Sequence, residues 1–337
     1  MLAFNLRHAL LLTSLVFAAN THAASFDCAG ASSPVEKAIC ADPDLSGLDD
    51  KLAAVWRSAL AKVADPKALK ADQRMWLKSR NSCDQRLACL RRNYLMRITE
   101  LDYAAKPFGW NATWQLIPDG PSTAAQINTR QRDAGHIAFD ISAAEGGNSG
   151  DLEGVAVLKG KQADYAEGEC ALSFTAINGI LNVVQDGSDA ACGGGMGVFY
   201  AGRYVASEQP LKIEYDLLSL GLARSSQDNA TLHALLNADY QVLVETSGSM
   251  MIGDPGADVP DGQVVEMWMR GIGGTAIFMS GPSSRFWVML MAYDGKGNSR
   301  VRYYTNVPQW KARLPDVMQA WYKQRSGEAA LPLDFMP

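Results

Sequence analysis

Residues 137–157 read IAFDISAAEGGNSGDLEGVAV, and the architecture of the middle of the chain follows from this stretch. Ile137, Phe139 and Ile141 alternate with small or polar neighbours, and Val155 and Val157 do the same beyond the turn Gly146-Gly147-Asn148-Ser149-Gly150. Successive side chains on a strand point to opposite faces, so a period of two between glycine-rich turns marks short antiparallel strands. The period returns at Cys170, Leu172, Phe174 and Ala176, and Gly193-Gly194-Gly195 supplies another turn. An antiparallel β sandwich or barrel is therefore expected over residues 108–210, with Trp110 and Trp114 packed at its entrance.

Upstream the period is 3.6. Leu45, Leu48, Leu52, Val55 or Trp56 and Leu60 form one apolar stripe, Leu69, Gln73, Trp76 and Leu77 a second, and Leu90, Tyr94, Ile98 and Leu101 a third. Asp44 is placed to cap the first helix, and Asp65-Pro66 breaks the chain before the second. Residues 24–105 thus read as a small antiparallel helical bundle that ends before Lys106-Pro107-Phe108-Gly109. Residues 211–337 are mixed. A helix is expected from Thr231 to Ala238, strands at Val264 to Met269, Thr275 to Met279, Arg285 to Tyr293 and Arg300 to Thr305, and a terminal helix from Pro308 to Arg325. Asp294-Gly295-Lys296-Gly297-Asn298 reads as a hairpin turn with too few acids for a calcium loop. The fold class expected is multidomain α + β: a disulfide-linked helical bundle, an antiparallel β sandwich or barrel, then an α+β domain.

Residues 1–23 have the pattern of a secretory signal peptide, with Arg7 and His8, an apolar run from Ala9 to Ala19, and Thr21-His22-Ala23 at the cut. The residues before Cys28 do not suit lipid attachment, so a periplasmic or secreted mature chain is expected to begin near Ala24. All six cysteines, Cys28, Cys40, Cys83, Cys89, Cys170 and Cys192, follow that point. An oxidising compartment makes three disulfides the default. Cys170 and Cys192 would staple two strands of the β region. If the first long helix starts near residue 44 and the second ends near 82, Cys40 lies beside Cys83 and Cys28 is left for Cys89. Local pairing, Cys28 with Cys40 and Cys83 with Cys89, is the alternative. A zinc site would need closer cysteine pairs and histidine support, and the only histidines beyond the leader are His136 and His233.

Of the 337 residues, 47% are hydrophobic and 20% charged, the composition of an ordinary globular protein. From residue 24 to 105 there are 13 Lys and Arg against 11 Asp and Glu, and from 106 to 337 there are 17 against 25. An acidic downstream part disfavours nucleic acid and speeds encounters with a basic protein. Enzyme signatures are sparse. Gly147-Asn148-Ser149-Gly150 resembles a serine-nucleophile turn, but its only upstream base is His136, and Asp151 with Glu153 would be a carboxylate pair only if space brought them into register with a substrate. No catalytic residue, cofactor or metal is assigned.

The run Ser25-Phe26-Asp27-Cys28-Ala29, Pro34-Val35-Glu36-Lys37-Ala38-Ile39-Cys40 and Leu45-Ser46-Gly47-Leu48-Asp49 resembles the opening of the LprI-type lysozyme-inhibitor domain. The likeness continues through Gln73-Arg74-Met75-Trp76-Leu77, Arg80-Asn81-Ser82-Cys83, Cys89-Leu90, Tyr94, Arg97-Ile98 and Leu101. It implies a secreted bacterial protein that inhibits lysozyme. The last region is similar to Ivy-type inhibitors of C-type lysozyme in its strand order, in Tyr303-Tyr304 and in a terminal helix with Trp321-Tyr322. That likeness implies a partner-binding loop at Ser280, Gly281, Pro282, Ser283, Ser284 and Arg285, although the cysteines and histidine of the Ivy loop are missing there. The expectation is a lysozyme-inhibitor-like binding protein, not an enzyme, with C-type lysozyme or another cationic secreted protein as partner. The alternatives are a periplasmic envelope adaptor binding peptidoglycan or another secreted protein, and a secreted hydrolase.

Overall fold

The computed structural model describes residues 25–271, 273–293, 298–327 and 330–337. The expected leader at 1–23 and residues 294–297 of the expected hairpin turn lie outside the described residues. The helical part contains α1 (Pro34–Ala41), α2 (Pro43–Lys62), α3 (Pro66–Asn81) and α4 (Leu87–Ala104). The first three start alike. Ser33, Asp42 and Asp65 each precede a proline, and each side chain accepts from a backbone N–H of the first turn. Proline loses nothing at that position, because the N–H it lacks would have had no partner. Asp42, not Asp44, is therefore the cap of α2. Leu45, Leu52, Leu69, Leu90, Tyr94, Ile98 and Leu101 are buried between the helices.

The disulfides here are local, Cys28–Cys40 and Cys83–Cys89, with Cα separations of 5.8 and 5.6 Å, so the nested pairing is wrong. The nested form overlooked α1, a separate helix whose last turn carries Cys40 back toward the 3-10 turn Cys28–Gly30. Likewise Cys83 and Cys89 lie on either side of the tight reversal that joins α3 to α4.

The middle region is a closed antiparallel barrel: β1 (Ala112–Leu116), β2 (Thr123–Asp133), β3 (His136–Glu145), β4 (Asn148–Lys159), β5 (Gln162–Glu167), β6 (Cys170–Ile177), β7 (Ile180–Asp186) and β8 (Gly202–Ala206), with β8 returning to β1. Ile137, Phe139 and Ile141 fill its interior as expected. Val155 and Val157 do not; they are 40% and 45% exposed, and the inward positions of β4 belong to Gly154 and Ala156. The reason is space. Phe139 and Tyr165 meet edge to face at 5.0 Å, and a Cβ on Gly154 would lie 2.6 Å from the Tyr165 ring. Trp114 is fully buried in the barrel core, its indole N–H donating to Thr129 Oγ1 at 2.8 Å, and Phe108 packs between it and Trp110, 5.0 Å from each. Cys170 pairs with Cys192, tying β6 to the 3-10 turn Ala190–Cys192 rather than to a second strand.

The last region holds α5 (Ser226–Leu236), α6 (Asp239–Thr246), α7 (Asp316–Ser326) and a sheet of β9 (Ser249–Gly253), β10 (Gln263–Trp268), β11 (Thr275–Gly281), β12 (Arg285–Tyr293), β13 (Ser299–Thr305) and β14 (Leu333–Phe335). Its order is β14-β13-β12-β11-β10-β9, antiparallel except between β13 and β14. The helix expected from Pro308 begins only at Asp316, because Pro315 disfavours helical backbone at Leu314. Pro308–Trp310 makes a single 3-10 turn. The helix expected at 231–238 begins earlier, at Ser226, and stops at Leu236.

The regions are packed together. One buried cluster runs from Val35 and Leu101 through Leu217, Leu232 and Leu243 to Phe278 and Leu290, so the helical bundle and one face of the last sheet share a core. The other face packs Ile277, Met279, Trp287 and Met289 under Trp310, Met318 and Trp321. The β6–β7 turn clamps the barrel to the bundle: Gly179 N–H donates to Ala104 O at 3.1 Å, and Asp65 N–H donates to Asn178 Oδ1 at 3.3 Å.

Candidate partner-binding surface

Six polar residues of the helical region, Ser46, Asp49, Arg80, Arg91, Arg97 and Glu100, are buried. Tyr94 Oη donates to Asp49 Oδ1 at 2.7 Å and accepts from Arg80 Nη1 at 2.9 Å, while the Arg80 guanidinium lies over the Trp76 ring at 5.5 Å. Arg97, 1% exposed, donates to Gln73, to Asp72 at 2.7 Å and to Glu100 at 2.7 Å. Arg203 of β8 completes the cluster by donating to Asp72 and Glu100. Burial pushes the Asp72 carboxyl up, but the two guanidinium groups outweigh it and hold it below the usual carboxylate range. These side chains fix the bundle against the barrel and leave little of themselves to a partner. What the bundle does open to solvent is a groove of about 300 Å³ lined by Phe26, Asp49, Trp56, Trp76 and Arg80.

The sequence-assigned loop is the β11–β12 turn. Ser280 and Gly281 end β11 and are buried, Arg285 opens β12, and only Pro282 and Ser283 stand exposed at the tip. Ser283 and Ser284 have φ of 58° and 54°, a left-handed backbone that side-chain-bearing residues adopt only when held there. Several contacts do the holding. Ser284 Oγ donates to Asp228 Oδ1 at 2.5 Å, Asn306 Nδ2 donates to Ser284 O at 2.8 Å, and Arg285 donates to Pro282 O at 3.1 Å and to Asp261 Oδ2 at 2.5 Å. The turn is thus a rigid projection braced by α5 and by the loop before β10. Asp228 and Asp261, which anchor it, carried no periodic or spacing signal and were missed by sequence reasoning.

The serine and carboxylate arrangements do not assemble. His136 faces Val157 at one end of the β3–β4 hairpin and Ser149 faces Ala144 near the other, eight register positions away, or roughly 26 Å along a strand. His136 Nδ1 instead lies 2.9 Å from Asp133. Asp151 and Glu153 sit exposed on β4, where Ser142 Oγ donates to Asp151 at 2.6 Å and Glu153 stands directly opposite Asp140. Asp140 accepts from Asn128 Nδ2 at 2.7 Å, and Arg130 and Arg132 line the same patch of the barrel surface as Asp140 and Glu153, offsetting the like charges that face across the ladder. Among the described residues no three histidine, cysteine or acidic side chains converge as metal ligands.

A disulfide-closed helical bundle held by buried ion pairs defines the first quarter of the molecule. A family model described as Lysozyme inhibitor LprI matches it over residues 28–101. That region is similar to the LprI domain. Comparison with curated proteins and with solved structures gives no significant match.

Proposed function

We propose that the chain is a secreted lysozyme-inhibitor-like binding protein that acts by rigid docking on a cationic lysozyme of the C type. The observation that carries this reading is the match of α1–α4 to a lysozyme-inhibitor family. Residues 1–23 would direct the protein to the periplasm or beyond and be removed there, and the pairing of all six cysteines agrees with such a compartment. The braced turn at Pro282 and Ser283 suits docking, because a projection already ordered in the free protein loses little entropy on binding. The acids of the downstream part supply attraction toward a basic partner. The test is lysis of a cell-wall suspension by C-type lysozyme, followed by turbidity, with the protein lacking residues 1–23. Inhibition at micromolar concentration is expected. Unimpeded lysis together with binding to isolated envelope sacculi would replace this reading with an envelope adaptor.

A further inference from the structure

The last sheet treats its two edges differently. β14 is three residues long, and its Asp334 is paired with Arg300 at 2.5 Å. Short, charged edge strands resist pairing with another chain. β9 has no such protection. Ser249-Met250-Met251-Ile252-Gly253 contains no charge and no proline, runs against β10 in unbroken register, and has no second strand beside it among the described residues. Met250, Met251 and Ile252 are 41%, 52% and 87% exposed. Three consecutive apolar side chains in water beside an unpaired backbone ladder form a surface suited to receiving a strand.

The ends of β9 say which strand. Arg270 Nε donates to Ser249 Oγ at 3.1 Å, which places a cation at the start of the strand, and Asp254 follows Gly253 at its end. Both are exposed, and neither makes an ion pair among the described residues. A second copy laid antiparallel sets Ser249 of one molecule against Gly253 of the other. Arg270 of each then meets Asp254 of its mate, once at each end, as a two-fold axis requires. A parallel arrangement would set like charges together, so the charges select orientation.

We propose that β9 is a homodimerisation edge, at which two copies pair antiparallel about Met251 into one continuous sheet closed at both ends by contacts between Arg270 and Asp254. The contact is small, so association belongs in the micromolar range, and it stands independently of lysozyme binding.

Analytical ultracentrifugation of the protein lacking residues 1–23, from about 5 to 300 µM, tests this. A reversible monomer–dimer equilibrium is expected. Ile252→Lys should abolish it while circular dichroism and Tm stay those of the parent. Arg270→Asp alone and Asp254→Arg alone should each weaken self-association about tenfold or more, whereas an equimolar mixture of the two variants should dimerise, since each supplies the charge the other needs. A parent protein that stays monomeric to 300 µM, a dimer untouched by Ile252→Lys, or a mixture no better than the single variants would overturn the proposal.

Discussion

Asp72 shows how single residues in this molecule earn their place. Its folded pKa lies below its unfolded value, so the ionised form stabilises the fold at neutral pH, and that contribution is lost as pH falls from about 4 through the lowered folded value. Asp72→Asn should lower stability by about 3 kcal/mol above pH 5, the usual cost of breaking a buried pair from one side, and the gap in Tm between variant and parent should close in more acid solution. A gap of constant width from pH 2 to 7 would mean that the charge of Asp72 does not matter. At the tip of the β11–β12 turn, replacing Pro282 and Ser283 together by glutamate should weaken lysozyme inhibition at least about tenfold. Lys62→Glu or Lys70→Glu, on the exposed side of the bundle, should change inhibition little. Equal inhibition by the tip variant would move the contacts to the barrel or the bundle.

At the scale of elements, what was legible depended on whether a signal was local. The alternation at Ile137, Phe139 and Ile141 survived intact, and Asp65-Pro66 marked a helix start correctly, because side-chain period and capping act within a few residues. Val155 and Val157 were assigned to the wrong face because large side chains across the barrel, Phe139 and Tyr165, decide which positions on β4 must be small. The strand β9 has no alternation to betray it, and Arg203 joins Asp72 only through the fold, so neither was readable in advance. Two tests belong here. Gly179 touches the end of α4 so closely that a Cβ would sit 2.5 Å from Tyr103 O and 2.6 Å from Lys106 O. Gly179→Ala should therefore cost about 1–3 kcal/mol and open the segment around Tyr103 and Phe108 to chymotrypsin, which limited proteolysis would reveal. Replacing Cys170 and Cys192 by alanine should cost on the order of 3 kcal/mol, since their sequence separation is 22, and thermal unfolding would register it.

For the whole molecule the relevant quantity is the field of its charges. The excess of acids beyond residue 106 acts over distances that salt controls: the Debye length is roughly 30 Å at 0.01 M and only a few ångströms at 0.5 M. If lysozyme is drawn in by this field, the association rate should fall by about tenfold or more between those conditions while the dissociation rate changes much less. Stopped-flow or surface-binding kinetics would separate the two, and a salt-independent association rate would leave the acids with a solubilising role alone.

The disulfides also have an order in time. Each joins neighbours in the succession of cysteines: first with second, third with fourth, fifth with sixth. If the chain is exported with its mature N-terminus leading and oxidation keeps pace with emergence, each bridge can close before the next pair of thiols arrives, and an oxidant alone would then suffice without reshuffling. The ionic joint follows a slower clock, because Asp72 and Glu100 must wait for Arg203, 131 and 103 positions later, before bundle and barrel can lock.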